Sequence, residues 1–437
     1  MRRLFFGAVA LAVAIVGIEA GAWLLLRLEA APPLELRLRQ LVLEPDVPRR
    51  ERVLRHAEPE GLREEALHPY LGFVTVPPAA VRDGPLSLAA LGLPGGGPLV
   101  READPGAVVL GIFGGSLAQY FAAGEGPERL FEALQPLPEF AGRRLVVLNA
   151  AHSSYKQPQA EMTLAYLLAL GVHLDLAVLI DGFNEVAGAA LEYENTGLFP
   201  LYPSRWVLRV ANLDADTGMR SLVGEIAYRK EERARWADWL LHSRARHSRT
   251  VSLLWAVYDG RTDAVLEARR QELARRRAGQ DEGFVASGPR YPERADLYGD
   301  LVRVWAAGSL GMQALAREHG FRFFHFLQPN QHVEGSKPLT PDEVEILRGG
   351  EVYAPHVARG YPLLRAKGRE LRDRGVAFTD LTEVFAGLHE SVYVDNCCHV
   401  GPRGNERLAE RMGAAIRETL GASPAGGVTG PAPGGVP

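Results

Sequence analysis

Four short polar segments of this chain carry residue types that could perform acyl-transfer chemistry. They are Gly114–Ser116, Asn149–Tyr155, Asp181–Glu185 and Asp395–His399. A serine hydroxyl becomes a nucleophile when a histidine takes its proton, a carboxylate orients that histidine, and amide groups stabilise the oxyanion that forms. Taken alone, Gly114-Gly115-Ser116 is equally typical of a phosphate-binding loop or of a serine that caps a helix. The other segments therefore have to support the catalytic interpretation.

The elements that must position these segments form an alternating pattern. Val108–Phe113 is a continuous apolar run, typical of a strand buried on both faces. Apolar runs predict strands at 107–113, 145–149, 174–180, 321–327 and 376–381, with helices at 117–134 and 157–170. This alternation predicts a parallel sheet with right-handed crossovers. The first three polar segments then lie together at the carboxyl edge of the sheet, where open α/β proteins bind ligands.

The order of the four segments resembles the SGNH, or GDSL-like, hydrolase superfamily. That family has a Gly-Ser turn, a polar turn after the second strand, a Gly-x-Asn block and a C-terminal Asp…His block. Gly114–Ser116, Gly182–Glu185 and Asp395–Glu410 resemble the first, third and fourth blocks. The resemblance covers about 105–190 and 321–415. It implies a flavodoxin-like three-layer α/β/α fold with a central parallel sheet, serine esterase activity, and neither a cofactor nor a metal.

The resemblance also implies the roles of individual residues. Ser116 would be the nucleophile and His399 its general base. The backbone N–H of Ser116 and the side-chain amide of Asn184 would stabilise the oxyanion. The family's glycine in the second block is Ser154 here, and its backbone N–H can serve the same purpose if the turn does not require a positive φ. We expect the Ser154 hydroxyl to be either an additional donor or a simple turn residue.

The residue that orients His399 is ambiguous in the sequence. The family's acid lies three residues before the histidine, a position that is Asn396 here, whereas Asp395 lies four before it. We favour Asp395 because a carboxylate stabilises an imidazolium better than a neutral amide does. Asn396 is the alternative, and Asp380 and Glu383 are more distant candidates.

Two further groups of residues lie near these segments. Cys397 and Cys398 are adjacent, and their Cα atoms, about 3.8 Å apart, are too close for an unstrained disulfide. They are expected to be packed thiols, with a strained vicinal disulfide as the alternative. Gln328 and Asn330 end the strand at 321–327, where they are predicted to bind substrate or simply to close the strand into a loop.

The N-terminal segment predicts where the protein lies in the cell. Arg2 and Arg3 precede an apolar run, Leu4–Leu26, interrupted only by Glu19. Residues 1–29 are therefore predicted to be an uncleaved membrane anchor or a cleaved signal sequence, with a soluble core helix as a third alternative. In the first two cases the remaining chain lies outside the cytoplasm. The predicted domains are a tether or short helix at 30–67, a hydrolase domain at 68–421 with a helical insertion at about 190–300, and a disordered tail at 422–437.

Composition limits the possible functions. The chain has 437 residues and a formal net charge of −4, which argues against a nucleic-acid-binding protein. The function predicted is a membrane-tethered serine esterase acting on a glycan, lipid or small acyl ester. An O-acyltransferase acting on envelope glycans with the same site is one alternative. A non-catalytic envelope-binding protein on the same fold is the other, because a fold does not guarantee a function.

Overall fold

The computed structural model describes most of the chain. The described residues are 2–28, 34–43, 65–77, 79–82, 85–95, 99–210, 217–278, 288–292, 295–348 and 350–422. Residues 44–64 of the predicted tether and 423–437 of the predicted disordered tail lie outside these ranges. Contacts divide the chain into two compact units, each described separately below. The helical unit comprises Met1–Leu62 and Val210–Ala286, and the sheet unit comprises Arg63–Arg209 and Ser287–Pro437.

The sheet unit is built around a five-stranded parallel sheet. The strands of the chain are β1 Glu65–His68, β2 Gly72–Thr75, β3 Ala107–Gly114, β4 Arg144–Asn149, β5 Leu176–Asp181, β6 Arg322–Leu327 and β7 Ala377–Asp380. The central sheet has the order β4-β3-β5-β6-β7, and β1 and β2 form a separate antiparallel pair. This confirms the predicted α/β class and the central parallel sheet, with each of the five strands close to its predicted position.

Both faces of the central sheet are buried, as the apolar composition of its strands requires. Along β3, Val108, Leu110 and Ile112 contribute to one apolar cluster, whereas Val109 and Phe113 contribute to the other. Alternate side chains of a strand point to opposite faces, so helices must cover the sheet on both sides. The sheet therefore gives a rigid base for the polar turns at its carboxyl edge.

The helices connect the strands and build the second unit. They are α1 Arg2–Leu28, α2 Leu34–Leu43, α3 Ala79–Arg82, α4 Ser116–Ala123, α5 Gly126–Leu134, α6 Gln159–Ala169, α7 Ala189–Thr196, α8 Trp206–Val210, α9 Thr217–His242, α10 Arg249–Ala278, α11 Leu297–His319, α12 Pro341–Leu347, α13 Ala354–Asp373 and α14 Pro402–Ala422. The single helix predicted at 117–134 is wrong, because the chain forms α4 and α5 instead. Gly124 ends α4, and Pro127 lies in the first turn of α5, where its missing N–H costs nothing.

The helical unit joins the N-terminal helices to the segment predicted as an insertion. Within it α1 packs against α10, α2 against α9, and α9 against α10. Leu38 and Leu41 of α2 are fully buried in a cluster with Ala237, Leu240 and Trp255. The prediction of a tether or short helix at 30–67 did not include this packing. The packing arises because Leu38 and Leu41, three residues apart, lie on the same face of α2. In the part of the chain that was searched, no helix is both long and apolar enough to cross a membrane.

Candidate active site

The turn after β3 places Ser116 at the edge of the sheet. Gly114 has φ +131°, and a Cβ there would lie 2.1 Å from the carbonyl oxygen of Ile180 on the neighbouring strand β5. Only glycine fits that position without moving the strand. The chain reverses through Gly115, and Ser116 becomes the first residue of α4. The N–H groups of a first helical turn have no acceptor within their own helix, so they favour negative charge beside Ser116.

The structure brings Ser116, His399 and Asp395 together. The Ser116 Oγ lies 2.6 Å from the Nε2 of His399, and the Nδ1 of the same ring contacts the Oδ2 of Asp395. All three residues are buried or nearly so, with 6% of Ser116 and 4% of His399 exposed. If Nδ1 carries the proton shared with the carboxylate, Nε2 is the nitrogen that accepts from the serine hydroxyl. The arrangement can therefore take a proton from Ser116.

The electrostatics of the pair favour a charged imidazolium. Burial by itself would lower the pKa of His399, but the facing Asp395 carboxylate and the Cys397 thiol raise it to about 10. Burial would likewise raise the pKa of Asp395, but His399 and backbone N–H groups hold it well below its usual range. Both shifts describe one interaction, in which the carboxylate stabilises the protonated ring. Such stabilisation is what a general base needs after it accepts a proton.

The backbone of the Asp395–His399 turn explains the spacing of four residues. The Oδ1 of Asp395 accepts hydrogen bonds of 3.1 Å from the N–H groups of Cys397, Cys398 and His399. The turn thus curls around its own carboxylate and presents Oδ2 to the imidazole. Asp395 is the candidate that the structure places on the ring. The carbonyl of Asn396 instead accepts from His332, while Asp380 and Glu383 both pair with Arg365.

Asn184 lies beside the nucleophile turn. It begins a turn of π-helix, Asn184–Gly188, that directly follows β5. Its Nδ2 donates to the carbonyl of Tyr155 at 2.8 Å, and a Cβ on Gly115 would lie only 2.4 Å from the same nitrogen. The second glycine is therefore needed to let the amide approach. An amide has two N–H donors, so one bond to Tyr155 leaves another donor for an oxyanion.

Ser154 has a left-handed backbone. The predicted role of its backbone N–H required a turn without a positive φ. The observed φ is +68°, so that condition is not met, although the serine itself adopts the left-handed conformation. The neighbouring Ser153 is fixed by Gln119 of α4, whose Oε1 accepts from its N–H at 2.6 Å and from its hydroxyl at 2.8 Å. The Ser154 hydroxyl accepts from Arg205 at 3.3 Å, which leaves its own proton available for donation. The turn is thus held next to α4 despite lacking the glycine.

The residues predicted to bind substrate after β6 have a different position. Asn330 is fully buried, and its Nδ2 donates to the carbonyl of Cys397 at 2.7 Å. Gln331 and His332 contact the carbonyls of Asp395 and Asn396 at 2.9 Å each. Three consecutive side chains therefore hold three consecutive carbonyls of the Asp395–His399 turn. Asn330 supports that turn and is not exposed to a substrate.

Gln328 is also buried, with 3% of its surface exposed, and its Nε2 has no hydrogen-bond partner among the described residues. Its backbone N–H donates to the carbonyl of Asp181 at 2.9 Å and so continues the pairing of β5 with β6. Of Gln328 and Asn330, the two residues predicted to bind substrate, neither lies on the surface. Only the amide nitrogen of Gln328 lacks a hydrogen-bond partner among the described residues.

Glu185 and Glu343 support the site in ways that the sequence did not predict, although Glu185 belongs to the Gly182–Glu185 block. Glu185 folds back to accept from the N–H of Gly182 at 2.8 Å and of Gln157 at 3.2 Å, which ties the Asn184 turn to the Ser154 turn. Burial and the nearby Asp181 charge raise the pKa of Glu185 to about 8. Glu343 accepts from Lys337 and from the N–H groups of Val392 and Tyr393, just before the Asp395–His399 turn. The contacts of Glu185 with Gln157 and of Glu343 with Val392 and Tyr393 join segments 28 to 50 residues apart, so local spacing does not predict them.

The two cysteines are buried thiols. Their Sγ atoms lie 3.0 Å apart, and the Cys397 Sγ lies 3.5 Å from both Asp395 Oδ2 and His399 Nδ1. Within the described ranges, Cys397, Cys398 and His399 are the one group of side chains close enough to hold a metal ion. Because Asp395 already occupies Nδ1, a metal there would compete with the contact that orients the base.

Comparison with known proteins adds no assignment. No protein-family model matches the sequence, and none of the curated proteins matches it significantly. The geometry of the site is therefore the basis for assigning a function.

Proposed function

We propose that the protein is a serine esterase that hydrolyses a carboxylic ester through an acyl-Ser116 intermediate. The single observation that carries this proposal is the 2.6 Å contact of Ser116 Oγ with His399 Nε2, with Asp395 on the opposite nitrogen of the ring. The strand order β4-β3-β5-β6-β7 is that of flavodoxin-like proteins and supports a three-layer α/β/α fold. In such folds ligands bind at the point where the strand order reverses. Ser116 and Asn184 follow β3 and β5, the two strands at this reversal.

In the acylation step, His399 takes the hydroxyl proton as Ser116 Oγ attacks the ester carbonyl. The carbonyl electrons move onto oxygen, and the oxyanion is stabilised by the Ser116 N–H, the Asn184 amide and the Ser154 turn. Asp395 stabilises the imidazolium during this step. The carbonyl then re-forms, the C–O bond of the ester breaks, and His399 returns the proton to the leaving alcohol.

In the deacylation step, water replaces the alcohol. His399 takes a proton from the water as its oxygen attacks the acyl carbon, and the same donors stabilise the second oxyanion. Collapse of this intermediate breaks the bond to Ser116 Oγ, which regains its proton from His399. The products are a carboxylic acid and the restored enzyme, without a metal or organic cofactor.

The proposed substrate class and location follow from the sequence. The apolar run before Glu19 and the preceding arginines support an N-terminal anchor with the catalytic domain outside the cytoplasm. Esters of envelope glycans or lipids are the substrates such an enzyme would meet. In an O-acyltransferase the acyl group would pass from Ser116 to a sugar hydroxyl, through the same intermediate.

The experiment is a turnover assay with p-nitrophenyl acetate on the wild-type protein and the Ser116→Ala variant. Release of p-nitrophenol by the wild type, and its loss in the variant at equal helical content, would support an acyl-Ser116 intermediate. Adding a sugar alcohol separates the two enzymes, because a transferase forms acetyl-sugar at the expense of acetate. An inactive, folded wild type would favour the non-catalytic binding protein.

A further inference from the structure

The tip of the α9–α10 hairpin in the helical unit exposes a cluster of aromatic side chains. We define the hairpin tip as residues 236–258. Trp236, Trp239 and Leu254 have 52%, 59% and 64% of their surface exposed. The rings of Trp236 and Trp239 contact each other edge to face at 5.9 Å. Soluble proteins rarely leave such groups together in water, and an apolar patch of this kind marks an interaction surface.

These side chains line a groove of about 250 Å³. Its walls are formed by Trp236, Trp239, Leu240, Val251, Leu254, Trp255 and Tyr258. The Nε1 of Trp255 is buried there without a hydrogen-bond partner in the described part of the chain. Tryptophan prefers an environment that is apolar at one end and polar at the other, as at the boundary of a lipid bilayer.

The turn at the same tip is basic. Arg244 and Arg249 are exposed, and Arg246 lies between them on the short helical turn Arg244–His247. Of the acidic groups nearby, Glu35 partly offsets the charge of Arg246, although its carboxylate is already paired with Arg39. Asp238 is buried, and the Glu19 carboxylate is bound to Ser248 and to the N–H groups of α10. An anionic partner is therefore favoured.

The apolar helix α1 is joined directly to the hairpin tip. Its Glu19 accepts from the N–H of Arg249 at 2.6 Å and of Thr250 at 3.3 Å, so it satisfies the open N-terminus of α10. Just before Glu19, Val13, Val16 and Ile18 are all exposed, each by more than half of its surface. A helix that exposes apolar side chains on several faces requires a non-aqueous environment. The exposed apolar segment of α1 ends at Glu19, which contacts the aromatic and basic hairpin tip, so the non-aqueous environment would begin at this tip.

We propose that the hairpin tip is a membrane-binding surface that docks onto anionic phospholipid headgroups. The tryptophans lie at the boundary between headgroups and acyl chains, and the arginines contact the phosphates. Continuity with the exposed apolar segment of α1 favours a lipid surface over a protein partner. The tip adds a second, charge-selective contact to the attachment that α1 provides.

The test measures binding of the full chain to vesicles by flotation. Neutral vesicles of phosphatidylcholine are compared with vesicles in which a third of the lipid is phosphatidylglycerol. The wild type is expected to partition more strongly into the anionic vesicles, with a preference that high salt removes. Because each arginine near such a surface contributes about 1 kcal/mol, Arg244→Gln/Arg246→Gln/Arg249→Gln should lose on the order of 100-fold of the binding to anionic vesicles.

A matched variant controls for net charge. Arg261→Gln/Arg270→Gln/Arg275→Gln removes three charges from α10, at exposed sites that follow the groove-lining Tyr258. Arg261 lies just under one turn beyond Tyr258, and Arg270 and Arg275 lie roughly three turns or more beyond it. This control variant should keep most of the preference for anionic vesicles. Equal partition of the wild type into both kinds of vesicle would overturn the proposal, and so would an equal loss in both triple variants.

A second measurement locates the aromatic groups. Vesicles with brominated acyl chains should quench the tryptophan fluorescence of the wild type, and Trp236→Phe/Trp239→Phe should show less quenching. Unchanged quenching in this variant would also overturn the proposal, and would leave a protein partner or a small apolar ligand as the occupant. No ester substrate is involved, so the result is independent of the role of Ser116.

Discussion

The sheet unit contains two sets of hydrogen bonds that run from a serine through a histidine to a carboxylate. The first is Ser116–His399–Asp395, and the second is Ser309–His325–Asp181. In the second set, Ser309 Oγ lies 2.9 Å from His325 Nδ1, and His325 Nε2 lies 2.8 Å from Asp181 Oδ1. The chemical groups are the same, with the two ring nitrogens exchanged.

Their surroundings differ in what each serine can reach. Ser116 begins α4 at the edge of the sheet, beside N–H groups that lack helical acceptors and beside the Asn184 amide. Ser309 lies in the middle of α11 and is fully buried, and Trp305 also donates to Asp181 at 2.6 Å. A mid-helix serine has no open N–H beside it to stabilise an oxyanion. Oxyanion donors and access to the serine, not the Ser-His-Asp order itself, therefore distinguish a candidate active site from a structural network.

The largest expected effect is that of Ser116→Ala. Without the nucleophile, kcat/KM for p-nitrophenyl acetate should fall by about 10⁶-fold if the triad acts as a unit. The variant should still fold, with a free energy of unfolding lower by about 1–3 kcal/mol, because the Nε2 of the buried His399 loses its partner. Activity close to that of the wild type in this variant would show that Ser116, and with it the Ser116–His399–Asp395 set, does not carry the reaction.

Asp395→Asn should lower kcat by about 10⁴-fold, because the amide no longer stabilises the imidazolium. It should also change the pH profile. His399 must be neutral to act as a base, and its pKa is raised to about 10, so wild-type kcat/KM should keep rising with pH above the ordinary histidine range. Without the carboxylate the pKa falls, and the rising limb should move to lower pH. Asp380→Asn, which alters a carboxylate paired with Arg365, is the matched control and should leave the limb unchanged.

Asn184→Ala removes the amide that lies against Gly115. The loss of one oxyanion donor should reduce kcat by about 10²–10³-fold, with a small change in KM. Steady-state kinetics separates the two parameters. An effect on KM alone would mean that Asn184 binds the substrate and does not stabilise the transition state.

Ser309→Ala should have the smallest effect on activity and a clear effect on stability. The change leaves the buried Nδ1 of His325 without its partner, which should lower the free energy of unfolding by about 1–3 kcal/mol. Urea unfolding gives that value, and kcat/KM should remain near the wild-type level. A large loss of kcat/KM in a folded Ser309→Ala protein would show that the second set also serves catalysis.

Local patterns in the sequence predicted the sheet and the polar turns that the structure brings to its carboxyl edge. Val108–Phe113 and the later apolar runs are long and uninterrupted, so strand positions follow from burial alone. The spacing of Asp395 and His399 left two candidates open, since only the folded turn has three N–H groups converging on Oδ1 of Asp395.

Long-range support could not be read from the sequence. Asn330 donates to a carbonyl 67 residues away, and the neighbouring contacts of Gln331 and His332 each span 64 residues. Polar side chains after a strand look the same whether they face a substrate or a second loop. The packing of α2 on α9 likewise joins segments that are nearly 200 residues apart in the chain, a separation about as long as a typical domain.

The most direct measurement of the central claim is to label the intact protein with a fluorophosphonate and map the adduct by mass spectrometry. This reagent phosphonylates a serine only where a base activates the hydroxyl and donors stabilise the resulting oxygen. If Ser116 is the nucleophile, we expect one adduct on Ser116, none on Ser309, and no labelling of the Ser116→Ala variant. A folded wild type that stays unlabelled, or an adduct on any other serine, would contradict it.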